Sequence, residues 1–101
     1  MGHRATTDET AGHRHARLET LILDELRALL RDDVADPALA TIQITTGILS
    51  VDYRHVRCHF VLGEGGASRA DAERALVRAT PFLRARLADA IDMKRTPELS
   101  F

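Results

Sequence analysis

Between Arg31 and Thr41 the apolar residues of this chain change their spacing. On the N-terminal side Leu18, Leu21, Ile22, Leu26, Leu29 and Leu30 recur every three or four positions, the period of one helix face. On the C-terminal side Ile42, Ile44, Thr46 and Ile48 alternate with Thr41, Gln43, Thr45 and Gly47, the period of a strand with one buried face. Asp36-Pro37 stands between them, and the residue before a proline resists helical backbone, so the helix predicted from Arg14 to about Arg31 ends ahead of it. Asp32 and Asp33 reinforce that stop, because acids are unfavourable at the negative end of a helix dipole. A helical stripe followed at once by a one-sided strand confines the chain to mixed architectures in which helices cover a sheet.

A second alternation, Val56, Cys58, Phe60 and Leu62 against His55, Arg57, His59 and Val61, follows a turn around Ser50 to Tyr53 and predicts an antiparallel hairpin. Gly63-Glu64-Gly65-Gly66 breaks the strand. Ser68, with Asp71 three residues on, has the form of an N-cap and a first-turn acid for a helix that turns Ala72, Leu76 and Ala79 inward. Pro81 removes a backbone donor and crowds the preceding turn, so that helix is expected to bend and restart, with Thr80 as cap and Pro81 at the first helical position. Phe82, Leu83, Leu87 and Ile91 extend the stripe, and residues 94–101 read as a short last strand with Leu99 and Phe101 on one side. The expected fold is a two-layer α+β domain in the order α-β-β-α-(kink)-α-β, its three-stranded sheet covered by helices on one face.

A chain of 101 residues, 45% hydrophobic and with a formal net charge of −1, has material for one core and is not a disordered polymer. Residues 1–12 show no apolar period and read as a flexible N-terminal arm; residues 13–101 read as the single domain. One cysteine excludes an internal disulfide, and no apolar run reaches the roughly 20 residues of a membrane span. The expectation is a cytoplasmic monomer without a membrane contact.

The near-neutral total hides an asymmetry. Residues 1–53 hold five arginines against nine acids, a net of −4, and residues 54–95 hold eight arginines and Lys94 against five acids, a net of +4. The second half can attract an anion that the whole-chain charge would not predict. Arginine supplies thirteen of the fourteen basic residues, which suits phosphate recognition and equally suits a GC-rich genome.

Catalytic constellations are not evident. Cys58 lies in step with Val56 and Phe60 and reads as a core thiol. His55 and His59 would sit about 13 Å apart along a strand, too far to share a metal ion. The glycine run lacks the Gly-Lys-Ser/Thr of a phosphate loop, and the acids form no general acid–base pattern. No catalytic residue, metal, cofactor or small-molecule substrate is therefore expected. The remaining candidate is the bend at Ala79, Thr80 and Pro81, where a restarted helix would offer free amides to an anion, with Arg74, Arg78 and Arg84 on the approach and Lys94 and Arg95 where the chain returns to the sheet. These residues suit a phosphate backbone more than base edges. A different reading takes the acidic N-terminal half, with Asp32, Asp33 and Asp36 clustered at a helix end, as a small protein–protein interaction module.

Four stretches together resemble a known family: Arg14 to Leu39 with its Asp36-Pro37-Ala38-Leu39, Ile42 to Asp52, Arg78-Ala79-Thr80-Pro81-Phe82-Leu83-Arg84, and Thr96-Pro97-Glu98-Leu99-Ser100-Phe101. The chain resembles bacterial ribosome-binding factor A. The resemblance implies a type II KH-like RNA-binding domain over residues 13–101, in which an Ala-x-Gly kink replaces the usual Gly-x-x-Gly. It also implies a non-catalytic factor that binds the free 30S subunit, contacts 16S rRNA and assists late maturation and rRNA processing, notably in the cold. Ala79 and Thr80 fit the first two kink positions, whereas Pro81 stands where glycine is usual.

Overall fold

The computed structural model describes residues 2–101, with side chains from residue 12 onward. Its elements are α1 (Gly2–Asp32), a 3-10 turn η1 (Pro37–Leu39), β1 (Ile42–Leu49), β2 (His55–Leu62), α2 (Arg69–Ala90) and β3 (Glu98–Ser100). α1 reaches back to Gly2, ahead of the start expected at Arg14, so its backbone takes in residues 2–12 of the expected arm; Met1 and the side chains of residues 2–11 lie outside the described residues.

The sheet order is β1-β2-β3, with β1 antiparallel to β2 and β3 parallel to β2. A parallel neighbour needs a long crossover, and α2 is that crossover. Ile22, Leu26 and Leu29 of α1 and Leu76, Leu83 and Leu87 of α2 are buried with Ile44, Leu49, Val56, Cys58 and Phe60 of the strands in one core. This is the two-layer α+β arrangement that the periodicities predict.

Several local expectations change. The β1–β2 register shifts between Ile44 and Thr46, a bulge that places one extra residue on β1. Past it the strand turns over: Leu49 is buried, Gly47 faces Leu23, and Ile48, expected inside, is 55% exposed. A one-residue slip exchanges the two faces of a strand, which is why the alternation read from Ile42 fails after Ile44. A Cβ on Gly47 would lie 3.1 Å from Leu23 Cδ1, so the absent side chain lets α1 approach the flipped segment closely. Leu21 and Phe82, placed on core stripes by their spacing, lie on the outer helix surfaces.

The largest correction concerns Pro81. α2 is one helical element with the proline inside it, and Thr80 is not a cap; its Oγ1 donates back to the Leu76 carbonyl at 2.7 Å. The only N-terminus of α2 is at Ser68, whose Oγ accepts the Asp71 amide at 3.2 Å, with Asp71 in the first turn as its spacing predicts. The proline ring therefore leaves one carbonyl, that of Val77, without its i+4 amide. It does not free a set of donors.

Candidate nucleic-acid interface

The arginines of α2 are engaged. Arg69 lies over the Phe60 ring at 4.4 Å and pairs with Glu73 at 3.4 Å. Arg74 pairs with Asp71, Arg78 with Asp36 at 3.3 Å, and Arg86 with Asp33 at 3.5 Å. Exposed ion pairs of this kind contribute about 0–1 kcal/mol, so Arg74 and Arg78 remain able to exchange an acid for a phosphate. Arg84 differs: its Nε donates to the Pro97 carbonyl at 3.1 Å and its Nη2 to the Thr96 carbonyl at 3.0 Å. That guanidinium is committed to the chain that leads into β3.

Ala79 and Thr80 are half-buried and Pro81 is exposed, beside Val77, which is 71% exposed. Because the helix does not restart, no bundle of free amides exists there, and what remains of the anion site expected from the bend is the exposed pair Arg74 and Arg78. The acids of the helix end are likewise occupied within the molecule. Asp32 pairs with Arg31, Asp33 with Arg86, and Asp36 both pairs with Arg78 and accepts the Ala38 amide at 3.0 Å as the cap of η1.

Lys94 and Arg95 do not join this surface. They line a separate concavity of about 580 Å³ together with Arg14, Arg54, Tyr53 and Asp92, between α1, the β1–β2 turn and the connection from α2 to β3. The turn is rigidly built. Ser50 Oγ accepts the amides of Arg54 and His55 at 3.2 and 3.0 Å and donates to Asp52, whose carboxylate also accepts the Arg54 amide at 3.0 Å. The Ser50 hydroxyl first, and the Arg54 amide second, hold the Asp52 carboxyl below the usual carboxylate range. Tyr53 takes the left-handed conformation, φ 65°, uncommon for a bulky side chain, with its amide on the Ser50 carbonyl and its ring edge-on to His15 at 5.2 Å.

Arg14, Tyr53 and Arg54 are missing from the site expected from sequence. Their only signal there is that they flank the two segments which fold together, and nothing local announces that Arg14 and Lys94 are neighbours. The histidines are dispersed: His15 lies on the Ser50 carbonyl at 3.2 Å, His55 against Glu98 at 3.5 Å, and His59 against the Thr46 hydroxyl at 3.0 Å. Cys58 is 2% exposed, and burial pushes its thiol up to about 11. Among the described residues no helix is long and apolar enough to cross a membrane.

A helix, a hairpin, a crossover helix and a parallel third strand, with arginines along the crossover helix, make a two-layer α+β domain with a basic helix face. The family model for ribosome-binding factor A matches residues 14–101, and the chain belongs to that family. It is 38% identical over 91 residues to ribosome-binding factor A of Heliobacterium modesticaldum, an alignment covering 90% of this chain and 75% of that protein. The crystal structure of ribosome-binding factor A from Thermus thermophilus superposes with a TM-score of 0.78 at 29% identity, over 86% of this chain and 91% of that one. A homology model of the Thermus thermophilus factor, fitted into the cryo-EM map of its complex with the 30S subunit, matches with a TM-score of 0.61 at 29% identity, over 88% and 89% of the two chains.

Proposed function

We propose that this protein is a cytoplasmic, monomeric ribosome-binding factor that binds the free 30S subunit, contacts 16S rRNA and assists late subunit maturation and rRNA processing, including growth in the cold, without catalysing a reaction. The observation that carries this reading is membership of the family over residues 14–101, together with the likeness to a relative fitted into a 30S complex. The charge distribution supports it. The exposed Arg74 and Arg78, beside Ala79, Thr80 and Pro81, offer two forked cations to phosphate, and Lys94 and Arg95 offer two more charges on another side of the molecule. Arg84 acts as a positioning residue through Thr96 and Pro97.

Co-sedimentation with purified small subunits, with intact ribosomes as the control, tests the proposal. Retention on small subunits alone, weakening steeply as salt rises, is the expected result. Equal retention on both, or none on either, would count against it. Arg74→Gln with Arg78→Gln should weaken the retained fraction while leaving the unfolding midpoint close to that of the parent chain, because exposed ion pairs contribute about 0–1 kcal/mol each.

A further inference from the structure

Among the described residues, every arginine on α2 has an acid or a backbone carbonyl as partner, whereas Arg14, Arg54, Lys94 and Arg95 take part in no ion pair. Those four converge on the one concavity between α1, the β1–β2 turn and the α2–β3 connection. They come from three separate parts of the chain and face two acids there, Asp52 and Asp92, which leaves the concavity with two net positive charges. Asp52 accepts from the Ser50 hydroxyl and the Arg54 amide, so its carboxylate is held by the turn and forms no ion pair with the four cations. The wall between the cations is not polar: Leu18, Met93 and the half-buried Tyr53 ring form it.

We infer that this concavity is a second RNA-binding site, which holds the sugar–phosphate backbone of an unpaired strand on its four cations and a base against Tyr53. The inference rests on the RNA-binding reading above and adds a place and a strand type to it. Three arguments favour an unpaired strand. Cations delivered by three segments match successive phosphates of an extended polymer better than a single anion. An apolar wall containing an aromatic ring gains from a base face and nothing from a duplex exterior, in which base faces are hidden. The rigid Ser50–Asp52–Arg54 turn fixes Tyr53 beforehand, so little ordering cost falls on binding.

The chain has one tyrosine and no tryptophan, which makes Tyr53 a single-position reporter. Full-length protein labelled with fluorotyrosine should give one fluorine resonance. Titration with a short oligouridylate should move that resonance saturably, and Lys94→Glu with Arg95→Glu should weaken the apparent affinity about tenfold or more. If two phosphate contacts are lost, the log–log salt slope should become shallower by about 1.4. The milder pair Lys94→Gln with Arg95→Gln should act in the same direction. An unmoved resonance, a shift indifferent to Lys94 and Arg95, or an equal response to oligoglutamate or to a duplex of the same length would overturn the inference. Subunit co-sedimentation run on the same samples separates the two readings: retained co-sedimentation with an unmoved resonance removes this site alone, and its loss for the parent chain removes both.

Discussion

Arg84 Nε lies 3.1 Å from the Pro97 carbonyl oxygen and donates to it, while Nη2 of the same guanidinium reaches the Thr96 carbonyl at 3.0 Å. An arginine whose position suggests phosphate binding is thereby turned to the backbone entering β3. That strand has three residues, and its hold on the sheet is three register pairs with β2 and the Glu98 amide on the Arg54 carbonyl at 2.8 Å. Arg84→Ala should therefore destabilise the fold by about 1–3 kcal/mol, the range for hydrogen bonds to a charged group in a partly buried place. Denaturant unfolding measures this. Arg84→Lys, which cannot reproduce the fork, should recover only part of the loss, and an unchanged midpoint for both variants would mean that the contact carries no stability.

Arg27 does for β1 what Arg84 does for β3. Its Nε donates to the Ile44 carbonyl at 3.0 Å and its Nη2 to the Thr45 carbonyl at 3.1 Å, at the bulge, while Glu19 Oε2 accepts the Leu49 amide at 2.8 Å. β1 is an edge strand, and these two α1 side chains occupy backbone groups that a second chain would otherwise recruit. Arg27→Ala should cost about 1–3 kcal/mol and increase concentration-dependent light scattering. Glu19→Gln keeps an acceptor oxygen and should be milder than Glu19→Ala on both measurements.

Pro81 inside α2 is a cost that the rest of the fold offsets. Its ring crowds the preceding turn and denies the Val77 carbonyl an amide partner. Pro81→Ala restores the donor and should raise stability by about 1–3 kcal/mol in thermal or denaturant unfolding. If the proline shapes the surface that meets RNA, the same variant should bind small subunits more weakly. A variant that is more stable and binds equally well would assign the proline no part in binding.

Burial raises the Cys58 thiol from 9.0 to about 11. Because the folded value lies above the unfolded one, the unfolded chain releases its proton first as pH climbs. The stability contributed by the neutral buried thiol is whole below about pH 9 and is lost progressively as pH rises through about 11. Unfolding free energies taken across that window should fall more steeply for the parent chain than for Cys58→Val. At neutral pH a thiol reagent should label the native protein slowly and the denatured protein fast. Fast native labelling would contradict the buried assignment.

How far the fold was legible can be followed along β1 and α2. Ile42 and Ile44 obey the alternation, and Val56, Cys58 and Phe60 of β2 obey it throughout, because β2 carries no extra residue. Ile48 disobeys because the bulge depends on how β1 aligns with His59 and Phe60, residues that lie 13 or more positions away. Leu76, Leu83 and Leu87 of α2 are where the helical period puts them, and Phe82 is not: it lies on the outer side of the helix under the Arg86 guanidinium, 5.8 Å from its ring. Ser68 and Asp71 cap the helix as their spacing foretells, and Thr80, a reasonable cap by composition, instead donates to the carbonyl four residues back.

Periodicity, capping residues and the Asp36-Pro37 stop determined the elements, their order and most of the core, because each is a property of neighbouring backbone. Tertiary structure alone decided the register beyond Ile44, the passage of α2 through Pro81, and which cations are spent on partners and which are left for a ligand. Those outcomes depend on groups far apart in the chain, and a guanidinium has the same chemistry before folding whether its eventual neighbour is Asp36, the Pro97 carbonyl or open solvent beside Arg14.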